Sequence, residues 1–284
     1  MLSESLQKKV DFAIKLLQSA EKKAAQVGQP VEICYSGGKD SDVILELAKM
    51  AGINYRAIYK NTTIDPPGTI KHCKEKGVEI RKPVKTFLQL VREKGVPTRR
   101  ARFCCEVLKE YKVLDYAVIG VRKSESTARA KRYKEPEICR VMAKGKVRQY
   151  LPLLNWTYRD IADFIADRKI KCHPLYYDEQ GNFHVERRLG CIGCPLSSKQ
   201  KEDFKKYPKL LKQVIKSMQV CIDEHPQRSV AKKFNNSAYD VIYHNLFTKS
   251  YQEYVERLQP DLWGNTLNCK EYLEKYFGIN LDLD

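Results

Sequence analysis

The sequence of 284 residues contains no apolar run long enough to cross a bilayer, and its first residues, Met1–Ser5, lack the layout of a signal peptide. It also contains no internal repeat and no low-complexity linker. With 43% hydrophobic and 31% charged residues, the composition is typical of a globular protein with a substantial core. These features predict a cytoplasmic protein with no membrane partner.

Acidic residues are few compared with basic ones. The chain has 35 Asp and Glu residues against 52 Lys and Arg residues, which gives a net charge of +17. The imbalance is strongest between Arg99 and Arg148, where 15 residues are basic and 6 are acidic. This stretch suits a polyanionic partner, DNA or RNA, and it is equally explained by solubility combined with the binding of small anions.

The Walker phosphate-binding pattern (Gly, four residues, then Gly-Lys-Ser/Thr) is absent. In its place the segment Ser36–Ser41, of sequence Ser-Gly-Gly-Lys-Asp-Ser, follows a β-branched apolar run and precedes a helical pattern. A strand that turns through two glycines into a helix directs backbone N–H groups at one point, where the helix dipole and Lys39 add positive charge. This segment, the phosphate loop, is predicted to bind a phosphate group.

The chain has ten cysteines, which in a cytoplasmic protein indicate metal binding or catalysis rather than disulfides. Cys104 and Cys105 are adjacent, and Cys191 and Cys194 form a Cys-x-x-Cys pair. Zinc usually takes two Cys-x-x-Cys pairs, whereas an adjacent pair suits an iron–sulfur cube, whose metal corners lie farther apart. We expect a 4Fe–4S cluster on these four cysteines, with zinc as the alternative. Most of the others are expected to be small core residues: Cys34, Cys73, Cys139, Cys172, Cys221 and Cys269.

Strand and helix patterns alternate along the first part of the chain. The predicted strands are Val31–Tyr35, Tyr55–Lys60, Val78–Lys82 and Tyr116–Val121, and the helical patterns lie near 41–51, 68–76, 84–94 and 104–113. This alternation predicts an α/β fold with a doubly wound, mostly parallel sheet, in which ligands bind beyond the carboxyl ends of the strands.

The remaining segments complete the expected organisation. They are an amphipathic helix at 3–26, a basic, loop-rich stretch at 122–149, a helix at Tyr158–Asp167, a loop at 170–194 and a mostly helical region after 199. The expected division is an N-terminal helix (1–28), a nucleotide-binding domain that carries the four paired cysteines (29–198) and a helical C-terminal appendage (199–284).

Several of these segments, in this order, resemble motifs of the phosphoadenosine-phosphosulfate (PAPS) reductase family of PP-loop ATP pyrophosphatases. The resemblance spans about residues 30–200. The matching segments are the phosphate loop, Asn61–Thr69, Gly120–Arg129, His173–Tyr177 and Gly190–Cys194. The Cys-Cys and Cys-x-x-Cys pairs resemble those of family members that carry a cluster.

The resemblance implies an adenine-nucleotide alpha-hydrolase-like fold that cleaves ATP between its α- and β-phosphates. The implied nucleotide-binding residues are Ser36, Gly37, Gly38, Lys39, Asp40, Ser41, Asn61, Thr62 and Asp65. The implied residues of the substrate anion site are Arg122, Lys123 and Arg129, and Lys39, Asp40 and Arg122 are the implied catalytic residues. Asp40, with Asp65, would either place Mg²⁺ or hold the loop.

One departure from the family bears on activity. Assimilatory reductases of the family carry a catalytic cysteine in a Glu-Cys-Gly-Leu-His tail, and this chain ends without that motif. The nearest candidates, Cys221 and Cys269, lack the flanking glycine or histidine that would expose and activate a thiolate. Sulfate reduction by this chain alone is therefore disfavoured.

The family also includes ATP pyrophosphatases that insert sulfur into nucleic acid, including the component of DNA phosphorothioation systems that works beside a cysteine desulfurase. We expect this function, with DNA favoured over tRNA as the partner, a cysteine desulfurase as the sulfur donor, and a homodimer as a further expectation. The alternatives are an assimilatory adenylylsulfate or PAPS reductase, a tRNA thiolation enzyme, and a non-catalytic nucleic-acid-binding module. The five histidines show no ligand spacing and are expected to be structural.

Overall fold

The computed structural model describes residues 2–142 and 145–283, and the chain falls into two units. The first unit comprises Met1–Pro83 and Val107–Gly190, and the second comprises Val84–Glu106 and Cys191–Asp284. Each unit is therefore built from two separate stretches of sequence, unlike the continuous domains that the sequence suggests.

A sheet lies at the centre of the first unit, and six strands form it among the described residues. They are β1 (Val31–Tyr35), β2 (Tyr55–Lys60), β3 (Glu79–Arg81), β4 (Tyr116–Val118), β5 (Glu137–Met142) and β6 (Gly145–Tyr150). Their order is β3-β2-β1-β4-β6-β5, and neighbouring strands are parallel except for β5 and β6. The expected α/β fold with a mostly parallel sheet is confirmed.

Helices flank the sheet in the first unit and make up most of the second. In chain order they are α1 (Glu4–Ala25), α2 (Lys39–Ala51), α3 (Thr69–Glu75), α4 (Phe87–Lys94), α5 (Phe103–Leu108), α6 (Thr127–Arg132), α7 (Tyr158–Asp167), α8 (Gln200–Lys206), α9 (Pro208–Glu224), α10 (Ser229–Lys233), α11 (Ala238–Phe247), α12 (Tyr251–Leu258) and α13 (Cys269–Phe277). Short 3-10 turns lie at Lys123–Glu125 and Pro174–Tyr176. None of the described helices combines the length and the apolar character that a membrane span requires.

The core of the first unit lies between β1 and the helices α1 and α2. Val31, Ile33 and Tyr35 of β1 are buried in this core, together with the apolar stripe of α1. Because side chains alternate along a strand, Glu32 and Cys34 point to the opposite face of the sheet. The carboxyl end of β1 leads directly into the phosphate loop, so the central strand positions the candidate site.

The basic stretch at 122–149 is more regular than the sequence suggests. It contains α6 and the antiparallel pair of β5 and β6, so the expectation of a loop-rich stretch is wrong. The reason is that exposed charged residues alternate with buried ones: on β6, Lys146 and Arg148 are exposed while Val147 and Tyr150 are buried. Frequent charged residues mask the alternation in the sequence. The expected extension of β4 to Val121 also fails, because β4 ends at Val118.

The second unit is helical in its described residues. Residues 84–106, which the sequence assigned to the nucleotide-binding domain, belong to it, and their helix α4 packs against α9. The α9 helix also contacts α8 and α11, and α11 contacts α13. The mostly helical character expected after residue 199 is observed, while the amphipathic helix near the N-terminus is part of the first unit.

Replacing a buried residue of α1 tests whether this helix is integral to the first unit. Leu17 is completely buried against the sheet, so we expect Leu17→Ala to lower the free energy of unfolding by about 2–5 kcal/mol. Phe12 on the same helix is 48% exposed, and Phe12→Ala is the matched control with an expected change below about 0.5 kcal/mol. Equal, small effects of both changes in denaturant titrations would show that α1 is a separate element.

Candidate nucleotide site and cysteine cluster

The phosphate loop connects β1 to α2 and requires glycine at its second position. Gly37 has a φ of +77°, which L side chains rarely adopt. A Cβ atom there would lie 2.9 Å from Thr69 Cγ2, closer than real Cβ atoms approach other atoms. Any side chain at Gly37 would therefore strain the loop and push α3 away.

Gly38 serves a different purpose, because its backbone has an ordinary extended conformation as the residue that precedes α2. A Cβ atom there would lie 3.2 Å from the Tyr176 hydroxyl and 3.4 Å from Ser36 Oγ. The loop is closed from within by Ser41, whose hydroxyl donates to the Gly38 carbonyl at 2.7 Å. Alanine at Gly38 would fit with small adjustments but would narrow the approach to the loop.

Lys39 begins α2 and is almost completely buried. Its Nζ lies 3.3 Å from Asp40 Oδ2 and 3.3 Å from the carbonyl of Arg187. The pKa of Lys39 lies below its usual value because of burial, and the Asp40 carboxylate offsets part of this shift. The ammonium also lies 5.1 Å from the ring centre of Tyr176. A positive charge is thus held beside the loop at low solvent exposure, where its interaction with phosphate is strong.

Arg122 is fully buried beside the same helix. Its Nε donates to Asp40 Oδ1 at 2.7 Å, its Nη1 donates to Ser124 Oγ at 3.0 Å, and its guanidinium lies 4.4 Å from the ring centre of Tyr158. Its Nη2 is buried and has no hydrogen-bond partner among the described residues. A buried donor without an acceptor is costly, so this atom is suited to an anionic ligand.

Further arginines surround this position. Arg129 on α6 pairs with Glu125, and Arg188 Nη2 donates to the same carboxylate at 3.0 Å. Burial and then the nearby charge of Arg188 lower the pKa of Arg129. Lys123 is half-buried, and its backbone N–H donates to the Leu154 carbonyl. Arg188 was missed from the sequence, although its place two residues before the Gly-Cys-x-x-Cys segment was a signal.

The nucleotide-binding residues expected after β2 form a loop held by its own hydrogen bonds. Asp65 accepts from the backbone N–H of Thr62 at 2.8 Å and from the Tyr59 hydroxyl. The Asn61 side chain accepts from the Thr63 N–H at 2.7 Å, and Thr63 has a φ of +66°. Of the two roles considered for Asp65, these contacts favour holding the loop.

A buried polar network behind the phosphate loop was not expected from the sequence. Asp42, in the first turn of α2, accepts from the Tyr35 hydroxyl and lies 3.0 Å from His72 Nε2. The His72 ring packs edge-on against His173 at 5.7 Å, and His173 Nε2 lies 3.4 Å from Thr69 Oγ1. The network connects β1, α2, α3 and the His173–Tyr177 segment. The two histidines are structural as expected, but they support the site.

The four paired cysteines all belong to the second unit. The pKa of the Cys104 thiol is raised, first by its hydrogen bond with Cys105 and then by burial. The charges of Cys191 and Cys194 raise it further. Among the described residues, no three His, Cys, Asp or Glu side chains are placed to hold a metal ion.

Gly193, inside the Cys-x-x-Cys pair, has a φ of +68° and lies directly against the Phe204 ring. A Cβ atom there would lie 2.3 Å from the tip of that ring. The backbone N–H of Gly193 donates to Asp203 of α8 at 3.2 Å. The conformation of the Cys-x-x-Cys turn is thus fixed by its packing on α8.

The two candidates for a reductase-type catalytic cysteine are not activated. Cys221 and Cys269 are buried, and burial raises the pKa of each thiol. Cys73 and Cys172 are also buried, as expected for core residues, whereas Cys139 is exposed on β5.

The basic stretch between Arg99 and Arg148 is divided between the two units. Arg99, Arg100 and Arg102 belong to the second unit, and the basic residues from Lys109 onward belong to the first. On and after α6, the side chains of Lys131, Arg132 and Lys134 are exposed.

Two curated relatives of the chain are proteins described as uncharacterised. One is a protein of Methanocaldococcus jannaschii, 29% identical over 186 residues, which cover 60% of this chain and 37% of that protein. Another is a 37.8 kDa protein of Escherichia phage 186, 34% identical over 156 residues, which cover 49% of this chain and 44% of that protein. The chain thus matches less than half the length of these relatives.

Solved structures with some similarity include the PAPS reductase of Candida auris in a phosphate complex, at 18% identity and a TM-score of 0.41, covering 65% of this chain and 97% of that one. The FMN adenylyltransferase of Candida glabrata with FAD and pyrophosphate has 15% identity and a TM-score of 0.46, covering 62% and 63% of the two chains. The model of the phosphoadenosine phosphosulfate reductase domain family matches residues 30–197. This match includes the phosphate loop, Arg122 and all four paired cysteines and covers more than half of the sequence, so the chain belongs to the phosphoadenosine phosphosulfate reductase domain family.

Proposed function

We propose that the chain is an ATP pyrophosphatase that adenylates a nucleic-acid acceptor for sulfur transfer, most simply a phosphate of DNA in phosphorothioate modification. Its family supports the coarser assignment, a nucleotide-binding protein of sulfur chemistry. The observation that carries the proposal is the buried Arg122, whose Nη2 lacks a partner among the described residues beside the phosphate loop. An anion at that point would complete its hydrogen bonds.

ATP would lie with its β- and γ-phosphates on the phosphate loop. The backbone N–H groups at the start of α2 and the Lys39 ammonium then stabilise the pyrophosphate as it leaves. Arg122 and Arg129, with Lys123 and Arg188, would hold the phosphate of the acceptor next to the α-phosphate. In the first unit, the basic residues Lys131, Arg132 and Lys134 would contact the neighbouring backbone. In the second unit, Arg99, Arg100 and Arg102 are separate candidates for contacts with nucleic acid.

The reaction would proceed in two displacements. An acceptor oxygen attacks the α-phosphorus of ATP, the bond from that phosphorus to the bridging oxygen breaks, and pyrophosphate leaves. A persulfide from a cysteine desulfurase then attacks the acceptor phosphorus, and AMP leaves with the adenylated oxygen. A thiol finally cleaves the remaining S–S bond and is itself oxidised to a disulfide, which leaves sulfur on the acceptor.

Direct binding of Mg²⁺ by the protein fits these residues poorly. Both oxygens of Asp40 are engaged, Oδ1 by Arg122 and Oδ2 by Lys39, and Asp65 accepts from Thr62 and Tyr59. Asp40 therefore orients Arg122 and Lys39 in this proposal. Any Mg²⁺ would be bound mainly by the phosphates of ATP and water, as is common for this ion.

The 4Fe–4S cluster is a further part of the proposal. Cys104, Cys105, Cys191 and Cys194 provide four thiol donors in one unit, although in the described residues these side chains are not yet arranged as around a metal ion. The adjacent pair suits the separated corners of a cube rather than a single ion. Such a cluster would supply one-electron redox chemistry. The four cysteines would hold it through their thiolates, and Gly193 would allow the turn between Cys191 and Cys194.

Changes at the phosphate loop test ATP cleavage. We expect Lys39→Ala to slow pyrophosphate release from ATP at least about 100-fold, because the leaving group loses a preorganised positive charge. Gly38→Ala should have a similar effect, since its Cβ would occupy the approach to the loop. Lys71, whose side chain is 83% exposed, provides the control Lys71→Ala. Wild-type rates of pyrophosphate release in both loop variants, folded by circular dichroism, would refute the assignment.

Serine at any of the four paired cysteines tests the cluster. Each serine variant, purified without oxygen, should contain less iron and show less visible absorption than the wild type. It should also unfold at a lower temperature, because the cluster connects residues distant in sequence. Cys139→Ser, at an exposed position, is the matched control and should keep the iron content, the visible absorption and the unfolding temperature of the wild type. Metal analysis that finds one zinc and no iron in the wild type would disprove the cluster.

The nucleic-acid partner is tested by salt dependence. DNA affinity should fall steeply with salt, and Arg132→Glu with Lys134→Glu should weaken binding and reduce the slope of log affinity against log salt by about 0.9 per lost phosphate contact. ATP cleavage without DNA should not change. The control is the pair Lys71→Glu and Lys74→Glu, also at exposed positions.

A small adenylylsulfate substrate would behave differently. Its affinity would depend on Arg122 and Arg129 and hardly on Arg132 or Lys134. Absence of DNA and tRNA binding, together with salt-insensitive binding of adenylylsulfate, would replace the proposal with a reductase.

A further inference from the structure

Two buried charged residues lie on the central strands of the sheet, where apolar residues are expected. Strands that are covered on both faces are usually apolar throughout. Glu32 on β1 is completely buried, and Lys60 on the neighbouring β2 is 8% exposed. Both point away from the face that packs on α1 and α2. Their burial therefore needs an explanation.

The contacts of the two residues are unequal. The Glu32 carboxylate is well satisfied: Oε2 accepts from the Leu114 N–H at 2.9 Å, and Oε1 accepts from the Cys34 thiol at 3.7 Å. Lys60 Nζ lies 3.2 Å from Glu32 Oε1, but it makes no hydrogen bond of adequate geometry among the described residues. An ammonium group has three N–H donors, so Lys60 retains the capacity to bind a ligand.

A cavity of about 130 Å³ lies next to this pair. Its lining includes Ser36, the first residue of the phosphate loop, together with Glu32, Cys34, Ile58, Lys60, Asp65 and Lys109. An apolar cavity of about 150 Å³ accepts benzene, so this somewhat smaller space can receive the edge of a planar ring. The cavity is thus within reach of a nucleotide on the loop, and it is lined by Lys60, whose buried Nζ has no hydrogen-bond acceptor among the described residues.

Stability alone does not account for the pair. Removing two charges from water costs more than their attraction usually returns, and apolar residues of similar volume are often as stable or more stable. A buried charged pair beside a cavity is therefore better explained by recognition.

We propose that Lys60 is a specificity-determining residue that donates a hydrogen bond to an acceptor on the edge of the nucleobase, with Glu32 as its positioning residue. This inference rests on the proposed function, because the base enters the cavity only when the phosphates occupy the phosphate loop. The ring packs on Ile58, and a ring nitrogen of the base accepts from Lys60 Nζ. Glu32, fixed by Leu114, orients the ammonium toward the cavity.

The test compares a ligand that has a base with one that lacks it. Binding of ATP and of inorganic tripolyphosphate is measured by calorimetry for the wild type and for the double variant Glu32→Leu, Lys60→Met. The double change avoids leaving an unpaired buried charge, which the single change Lys60→Met would do. We expect ATP affinity to fall about tenfold or more, as for loss of a hydrogen bond from a charged donor, and tripolyphosphate affinity to stay unchanged.

A control and a stability measurement separate recognition from structure. Lys71→Met, at an exposed lysine, should change neither affinity. The melting temperature of the double variant should stay equal or rise. Equal losses of ATP and tripolyphosphate affinity with a lower melting temperature would show that the pair is structural and overturn the inference.

The remaining outcomes distinguish the two proposals. A double variant that binds ATP as tightly as the wild type overturns the role of Lys60 alone and leaves ATP binding intact. A wild type that binds neither ATP nor tripolyphosphate overturns the proposed function, and the inference fails with it.

Discussion

The ion pair between Asp40 and Arg122 is the contact on which the candidate site depends. It joins the start of α2 to the segment after β4 and places two cations, Lys39 and Arg122, around one carboxylate. The result is a buried centre with an excess of positive charge and, among the described residues, an unpaired donor on Arg122. In a poorly solvated environment such a centre attracts an anion strongly, since little of its charge is screened by water. Its geometry follows from a parallel sheet, which brings the carboxyl ends of β1 and β4 together.

Two kinds of glycine show how sequence and packing combine at the functional segments. Gly37 and Gly193 have positive φ angles and lie against Thr69 and Phe204, so a side chain at either position would disturb the fold itself. Gly38 has an ordinary conformation, and a Cβ atom there would crowd only the Tyr176 hydroxyl and Ser36 Oγ. A side chain at either of the first two glycines would therefore lower stability, whereas in the proposed function a side chain at Gly38 would weaken ligand binding. All three glycines are equally visible in the sequence.

Much of the first unit could be predicted because its signals are local. The strands Val31–Tyr35 and Tyr55–Lys60 and the helix Tyr158–Asp167 coincide with the expected bounds, since apolar patterns and capping residues lie within each segment. The β5 and β6 pair was missed because its exposed strands carry many charges and little apolar alternation. The placement of residues 84–106 with the C-terminal helices was missed as well, because the packing of α4 on α9 joins segments more than a hundred residues apart.

The sequence by itself determined the segment of the phosphate loop, the paired cysteines, the alternation of strands and helices up to β4, and the family, since each depends on residue types at short spacing. Only the tertiary structure decided that Arg122 keeps a donor with no partner in the described part of the chain, that His72 and His173 support the loop through Asp42, and that Glu32 and Lys60 meet beside a cavity. These contacts join residues on different strands and helices, and their separation along the chain has no fixed relation to their distance in space. Burial and hydrogen-bond satisfaction are properties of the packed chain, so they become visible only once the sheet is assembled.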